Sequence, residues 1–232
     1  MIRALIFDFD GLILDTETPE FDALREIFAG YGVDLPVELY LRAIGSSYQD
    51  SGFVPCEHLM EQAGVEVDCD ELERESYRRR IAIIDSQSLM PGVMAHIEAA
   101  RAEGLKLAIG SSSGLDWVGR HLARLGIEDC FDAIATRDAV SGVVKPRPDV
   151  FIRTLEMLGV DARDAVVYED SAHGITAAKA AGIFTVAVPN TLTRHADLSQ
   201  ADLQISSLAD VPLADILRAA EKSTLQLDPT DH

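Results

Sequence analysis

Positive charge is scarce in this chain. Its 232 residues carry 20 Lys and Arg against 39 Asp and Glu, a net charge of −19 at pH 7. A field of that sign repels nucleic acid and anionic membranes, so neither is expected as a partner, and a phosphate site would have to gather its own cations. Cysteine is scarce as well. Cys56, Cys69 and Cys130 show no paired metal-ligand spacing, and an odd count argues against a disulfide framework; buried or idle thiols are expected. Long apolar runs are missing: Ala165-Val166-Val167-Tyr168 falls far short of a bilayer span. The first ten residues lack the apolar stretch of a secretory signal and already hold two acids, so the expected location is cytoplasmic. Aromatics make up 6%, with a single tryptophan, Trp117, expected to pack rather than to stack on a ligand. Monomer and homodimer stay open.

What is present is an alternation of strand-like and helix-like patterns. Apolar runs at 4–8, 105–110, 133–136, 165–168 and 183–188, with a weaker one at 203–205, predict strands. Helical spacing separates most of them, at 92–103, 115–125, 149–158 and 173–181. Such alternation predicts βαβ units in an α/β, mainly parallel sheet covered on both faces. One gap interrupts it. From about residue 16 to 88 only helical patterns occur, including Phe21-x-x-Leu24-x-x-Ile27-Phe28 and 72–84, too long for an ordinary crossover. The expectation is a helical domain, 16–87, inserted in a sheet domain formed by 1–15 and 88–232. The polar tail, 221–232, is expected to fray.

Four segments fall at predicted strand ends, where α/β sheets bind ligands. The first is Asp8-Phe9-Asp10-Gly11, whose two acids point to one face at a spacing of two. The others are Gly110-Ser111-Ser112-Ser113-Gly114, Lys145-Pro146-Arg147-Pro148-Asp149 and Tyr168-Glu169-Asp170-Ser171. Each alone has a plain explanation. The serine turn can be a loop with a helix cap, the lysine a solvated one, and the acidic pair a cap for the next helix. A calcium loop is disfavoured because its closing Glu is missing. Together they assemble acids, a cation and hydroxyl or backbone donors on one sheet edge.

That order of motifs resembles the haloacid dehalogenase superfamily of phosphotransferases, in the branch of β-phosphoglucomutase and small-molecule phosphatases. The resemblance covers nearly the whole chain and implies a Rossmann-like core, a helical cap at 16–87 and Mg²⁺ as cofactor. It makes Asp8 the nucleophile that forms an aspartyl-phosphate and Asp10 the general acid and base. Mg²⁺ would be held by the Asp8 carboxylate, the Asp10 carbonyl and Asp170, with Glu169 supporting it through water. Ser111, with N–H groups near Ser112 and Gly114, would bind phosphoryl oxygens, and Lys145 would balance their charge. Pro146 and Pro148 are expected to hold that segment extended. Gly45 and Tyr48, in the turn Ile44-Gly45-Ser46-Ser47-Tyr48, match the cap loop facing the site. Glu17 either touches substrate or caps the first helix.

Tyr48 stands where the mutase pattern has an arginine and Glu20 where it has a histidine, which favours hydrolysis of one phosphate over a mutase holding two. The expected activity is a phosphatase acting on a small phosphorylated metabolite. A phospho-accepting signalling domain of the receiver type is the remote alternative, since such domains are roughly half this length. Arg74, Arg78, Arg79 and Arg80 are read as a solvated face paired with Glu71, Glu73 and Glu75. His173 is read as simply starting a helix.

Overall fold

The computed structural model describes residues 1–227. Six strands form one sheet: β1 (Ala4–Phe7), β2 (Lys106–Gly110), β3 (Ala133–Ala135), β4 (Ala165–Glu169), β5 (Phe184–Ala187) and β6 (Leu203–Gln204). All pair in parallel, in the order β3-β2-β1-β4-β5-β6. This is the Rossmann arrangement, with β1 at its centre. Phe7 is level with Ile109 on one side and Tyr168 on the other, so three strands end at one height. The residues that follow them are forced together.

Strand side chains alternate between faces, and the core divides accordingly. Leu5 and Phe7 pack with Val93, Ile97, Val118, Leu122 and Ile216, carried by α6 (Val93–Ala102), α7 (Leu115–Leu125) and α10 (Leu213–Leu227). Ala4 and Ile6 pack on the other side with Val150, Phe151, Ala177 and Ala178, from α8 (Asp149–Leu158) and α9 (Ala172–Ala180). Burying one such side chain contributes roughly 1.5–3 kcal/mol. The buried His96 is satisfied: it bonds the Tyr168 hydroxyl and the Val211 carbonyl, both at 3.0 Å.

Between β1 and α6 run five helices: α1 (Glu17–Gly30), α2 (Val37–Tyr40), α3 (Tyr48–Ser51), α4 (Pro55–Ala63) and α5 (Cys69–Ser86). They bury a cluster of their own, including Phe21, Leu24, Phe28, Phe53, Leu59 and Leu72.

Three expectations need correction. Cys56 and Cys69 form a disulfide, leaving Cys130 free; an odd count leaves one thiol over but does not forbid a pair. Residues 221–227 continue α10 rather than fray, because the apolar stripe of Leu213, Ile216 and Ala220 docks that helix; the remainder of the expected tail, 228–232, lies outside the described residues. The segment after Lys145 turns instead of extending, with the Arg147 N–H bonded to the Val144 carbonyl at 3.2 Å, as proline in a turn allows. Among the described residues no helix is long and apolar enough to cross a membrane.

Candidate active site

Asp8 is the first residue past β1, and its N–H donates to the Tyr168 carbonyl at 3.0 Å. The Lys145 ammonium, 1% exposed, donates to Asp8 Oδ1 and to Glu169 Oε1, each at 2.5 Å. It also sits 4.8 Å from the ring centre of Phe151, a cation–π contact. Burial alone would depress the Lys145 ammonium, but Asp8 and Glu169 overcome it and hold the group above its ordinary value. The opposite holds for Asp8. Burial first, then the charge of Glu169, pushes it up to about 8 against the pull of Lys145. Asp170 is raised well above its usual range by burial and by Asp8 and Glu169.

One lysine therefore serves three buried carboxylates. Ligand oxygens of Asp8, Glu169 and Asp170 lie within 4.8 Å of one another, and Asp170 Oδ1 is buried without a hydrogen-bond partner. Unpaired buried charge is strongly unfavourable. A hard divalent cation would relieve it, and an all-oxygen donor set suits Mg²⁺ or Ca²⁺ rather than Zn²⁺.

Neighbouring elements hold these acids in place. Glu169 Oε2 accepts from the Ser171 N–H (3.2 Å) and hydroxyl (3.0 Å). The Glu169 carboxylate lies over Gly174, where a Cβ would come within 1.9 Å of it. Asn190, after β5, donates to Asp170 Oδ2 at 2.7 Å and to the Gly11 carbonyl at 3.3 Å. It also contacts Glu17 Oε2 at 3.4 Å. Glu17 is buried and raised well above its usual value by burial and by Asp170, Asp10 and Asp8. It neither caps α1, a task taken by Asp15 accepting from the Thr18 N–H at 3.0 Å, nor lies far from the acids.

Asp10 points elsewhere. Its Oδ1 accepts from the Thr16 hydroxyl (2.7 Å) and the Trp117 indole N–H (2.9 Å), and its Oδ2 from the Ser113 hydroxyl (2.5 Å). Trp117, expected only to pack, thus also donates a hydrogen bond to Asp10. Ser111 is buried, and its hydroxyl accepts from the Ser113 N–H at 3.0 Å. The Ser112 hydroxyl accepts from the Lys145 N–H at 3.1 Å and donates to the Gly45 carbonyl at 2.9 Å. His173 Nδ1 bonds the Ile44 carbonyl at 3.0 Å, so it does more than begin a helix. Gly45, at φ +79°, packs so closely that a Cβ would lie 2.3 Å from the Ser171 hydroxyl. The turn 44–48 is thereby pinned to the sheet edge.

A cavity of about 410 Å³ lies between them. Asp8, Asp10, Ser111 and Lys145 line it, as do Glu20, Tyr48 and Arg80. Arg80 departs from the solvated reading. Its side chain is 13% exposed and bonds Glu20 at 2.7 Å and Glu73 at 3.2 Å, while Arg74, Arg78 and Arg79 stay on the surface with Glu71 and Glu75. The Tyr48 hydroxyl donates to Glu20 at 2.7 Å. Burial raises Glu20, with Arg80 and Tyr48 opposing it.

A model of the haloacid dehalogenase-like hydrolase family matches residues 5–188. The chain belongs to that family. It is 41% identical over 217 residues to YhcW of Bacillus subtilis, provisionally named a phosphatase, covering 94% of this chain and 97% of that protein. It is 32% identical over 184 residues to a phosphorylated carbohydrates phosphatase of Thermotoga maritima, covering 78% and 82%. A solved β-phosphoglucomutase of Clostridium difficile superposes with a TM-score of 0.77 at 25% identity, over 97% of this chain and all of the other. Four residues of the site, Asn190, Ser113, Thr16 and Trp117, were not picked out from the sequence as parts of it. Only the Ser113 hydroxyl, within the Ser111-Ser112-Ser113 run, carried a local signal.

Proposed function

We propose that the protein is a Mg²⁺-dependent phosphomonoesterase that passes the phosphoryl group through Asp8. The observation carrying this reading is the meeting of Asp8, Lys145, Glu169 and Asp170 beside a cavity that Asp8 and Lys145 line. Asp8, Asp170 and the Asp10 carbonyl would hold Mg²⁺, with Glu169 supporting it; bound there, the ion neutralises phosphoryl oxygens and lets an anionic carboxylate approach.

The chain's own groups do the rest. An Asp8 carboxylate oxygen attacks phosphorus, the ester P–O bond breaks, and Asp10 gives its proton to the leaving alkoxide. Water then attacks the phosphorus of the aspartyl-phosphate. Its proton returns to Asp10, phosphate leaves, and the Asp8 carboxylate is restored. Ser111 and the N–H groups that open α7 receive phosphoryl oxygens, and Lys145 stands as a fixed charge beside them. The helices of 16–87 serve as the cap over the cavity.

The part of the cavity wall formed by Glu20, Tyr48 and Arg80 supports a substrate with one phosphate and a hydroxyl-rich remainder. Arg80 lies between Glu20 and Glu73, so that wall repels a second phosphate, while the Glu20 carboxylate accepts hydrogen bonds from hydroxyls. The name of the Thermotoga relative, a phosphatase of phosphorylated carbohydrates, agrees with this. The deciding experiment is phosphate release from p-nitrophenyl phosphate and a panel of sugar and polyol monophosphates, with and without EDTA. EDTA-sensitive release is expected. An isomeric sugar phosphate instead of free phosphate would make the protein a mutase, and no turnover by folded, Mg²⁺-loaded protein would overturn the reading.

A further inference from the structure

The Asp10 carboxylate has two unequal oxygens. Oδ1 receives the Trp117 indole N–H at 2.9 Å and the Thr16 hydroxyl at 2.7 Å, whereas Oδ2 meets the Ser113 hydroxyl alone, at 2.5 Å. The hydroxyls are ambivalent, since each can donate or accept, but an indole N–H can only donate. Oδ1 must therefore remain an acceptor for as long as Trp117 faces it. Oδ2 has no neighbour obliged to donate, since the Ser113 hydroxyl can turn round and accept a hydrogen bond.

The indole is itself well fixed. Trp117 lies in the first turn of α7, directly behind the Ser111–Gly114 loop. Its ring stands edge-on to that of His121 with centroids 4.3 Å apart, and His121 is fully buried. Trp117 is carried by α7, which packs on the sheet, while Thr16 stands at the start of α1.

We propose that Trp117 is a positioning residue that anchors Asp10 by Oδ1 and so aims Oδ2 at the leaving-group oxygen. This rests on the reading of Asp10 as proton donor. The proton is transferred from Asp10 Oδ2 to the ester oxygen as the P–O bond breaks. An alkyl phosphate needs that proton because its alkoxide is a poor leaving group; p-nitrophenyl phosphate needs it far less.

The test exploits this difference. In Trp117→Phe the ratio of kcat/KM for a sugar or polyol monophosphate to kcat/KM for p-nitrophenyl phosphate should fall about 10- to 100-fold, the size of one lost hydrogen bond to a charged group. A merely structural role would lower both substrates alike and leave the ratio unchanged, which would overturn the proposal. If the Phe variant does not fold, benzothienylalanine keeps the ring shape with sulfur in place of N–H, and as Trp117 is the only tryptophan it can be introduced biosynthetically. The same fall in the ratio is expected. Asp10→Asn separates the two layers of argument. Full activity of Asp10→Asn on the alkyl ester would refute the donor role itself. Loss there, with an unchanged ratio in Trp117→Phe, would refute the indole's part alone.

Discussion

Lys145 shows how much depends on single side chains. Its ammonium is the partner of both Asp8 and Glu169, in a site where all three are buried. Lys145→Met keeps the length and removes the charge. It should lose turnover and lower stability by about 3–5 kcal/mol, the cost of stranding buried charge, measured by urea unfolding without Mg²⁺. Adding Mg²⁺ should recover part of the stability and none of the turnover. Asp8→Asn should abolish phosphate release while circular dichroism stays native; a wild-type rate would remove Asp8 as nucleophile. At this scale the sequence was readable wherever chemistry sat at a strand end, as with Asp8, Lys145 and Asp170. It was unreadable where a partner arrives from far along the chain. Asn190 reaches Gly11 across 179 positions and Trp117 reaches Asp10 across 107, and no local pattern records such meetings.

Among the elements, α5 best shows what spacing can and cannot tell. Leu72, Ser76 and Ile84 are its buried residues, and Arg80 continues that four-residue stripe. The arginine run thus divides by helix geometry, one inward and three outward, a distinction that reading the run as one charged face conceals. Glu20→Gln removes one of the two carboxylates beside Arg80; it should raise activity on a sugar bisphosphate relative to the monophosphate, by comparison of kcat/KM. In α9 the limit is volume. Gly174→Ala would push a methyl into Glu169, with a loss of stability of roughly 1–3 kcal/mol and a sharp drop in activity, both absent if Glu169 has room to move. The disulfide joins α4 to the first residue of α5. Cys56→Ser with Cys69→Ser should lower stability by at most about 3 kcal/mol and leave phosphate release intact.

For the molecule as a whole, the parallel sheet gathers acids at its centre while the chain is already rich in them. Asp8, Asp170 and Glu17 bind protons more tightly when folded than their ordinary values of 3.8 and 4.5. The unfolded chain therefore ionises first as pH rises, and the cation-free protein loses stability from about pH 4 upward, the contribution of Asp8 being lost by about pH 8. Lys145 stays charged throughout that window. Mg²⁺ favours the ionised acids, so it should raise Tm more at pH 8 than at pH 5 in scanning calorimetry, and EDTA should reverse the gain. An equal shift at both values would speak against a cation among these carboxylates. The parallel α/β sheet followed from alternation and apolar runs; its strand order and the docking of the turn 44–48 did not, since both depend on contacts between segments far apart in the chain. Because Trp117 is alone in the chain and bonded at the reacting end of the cavity, its fluorescence reports on that spot and nowhere else, an optical gauge of occupancy that needs no label.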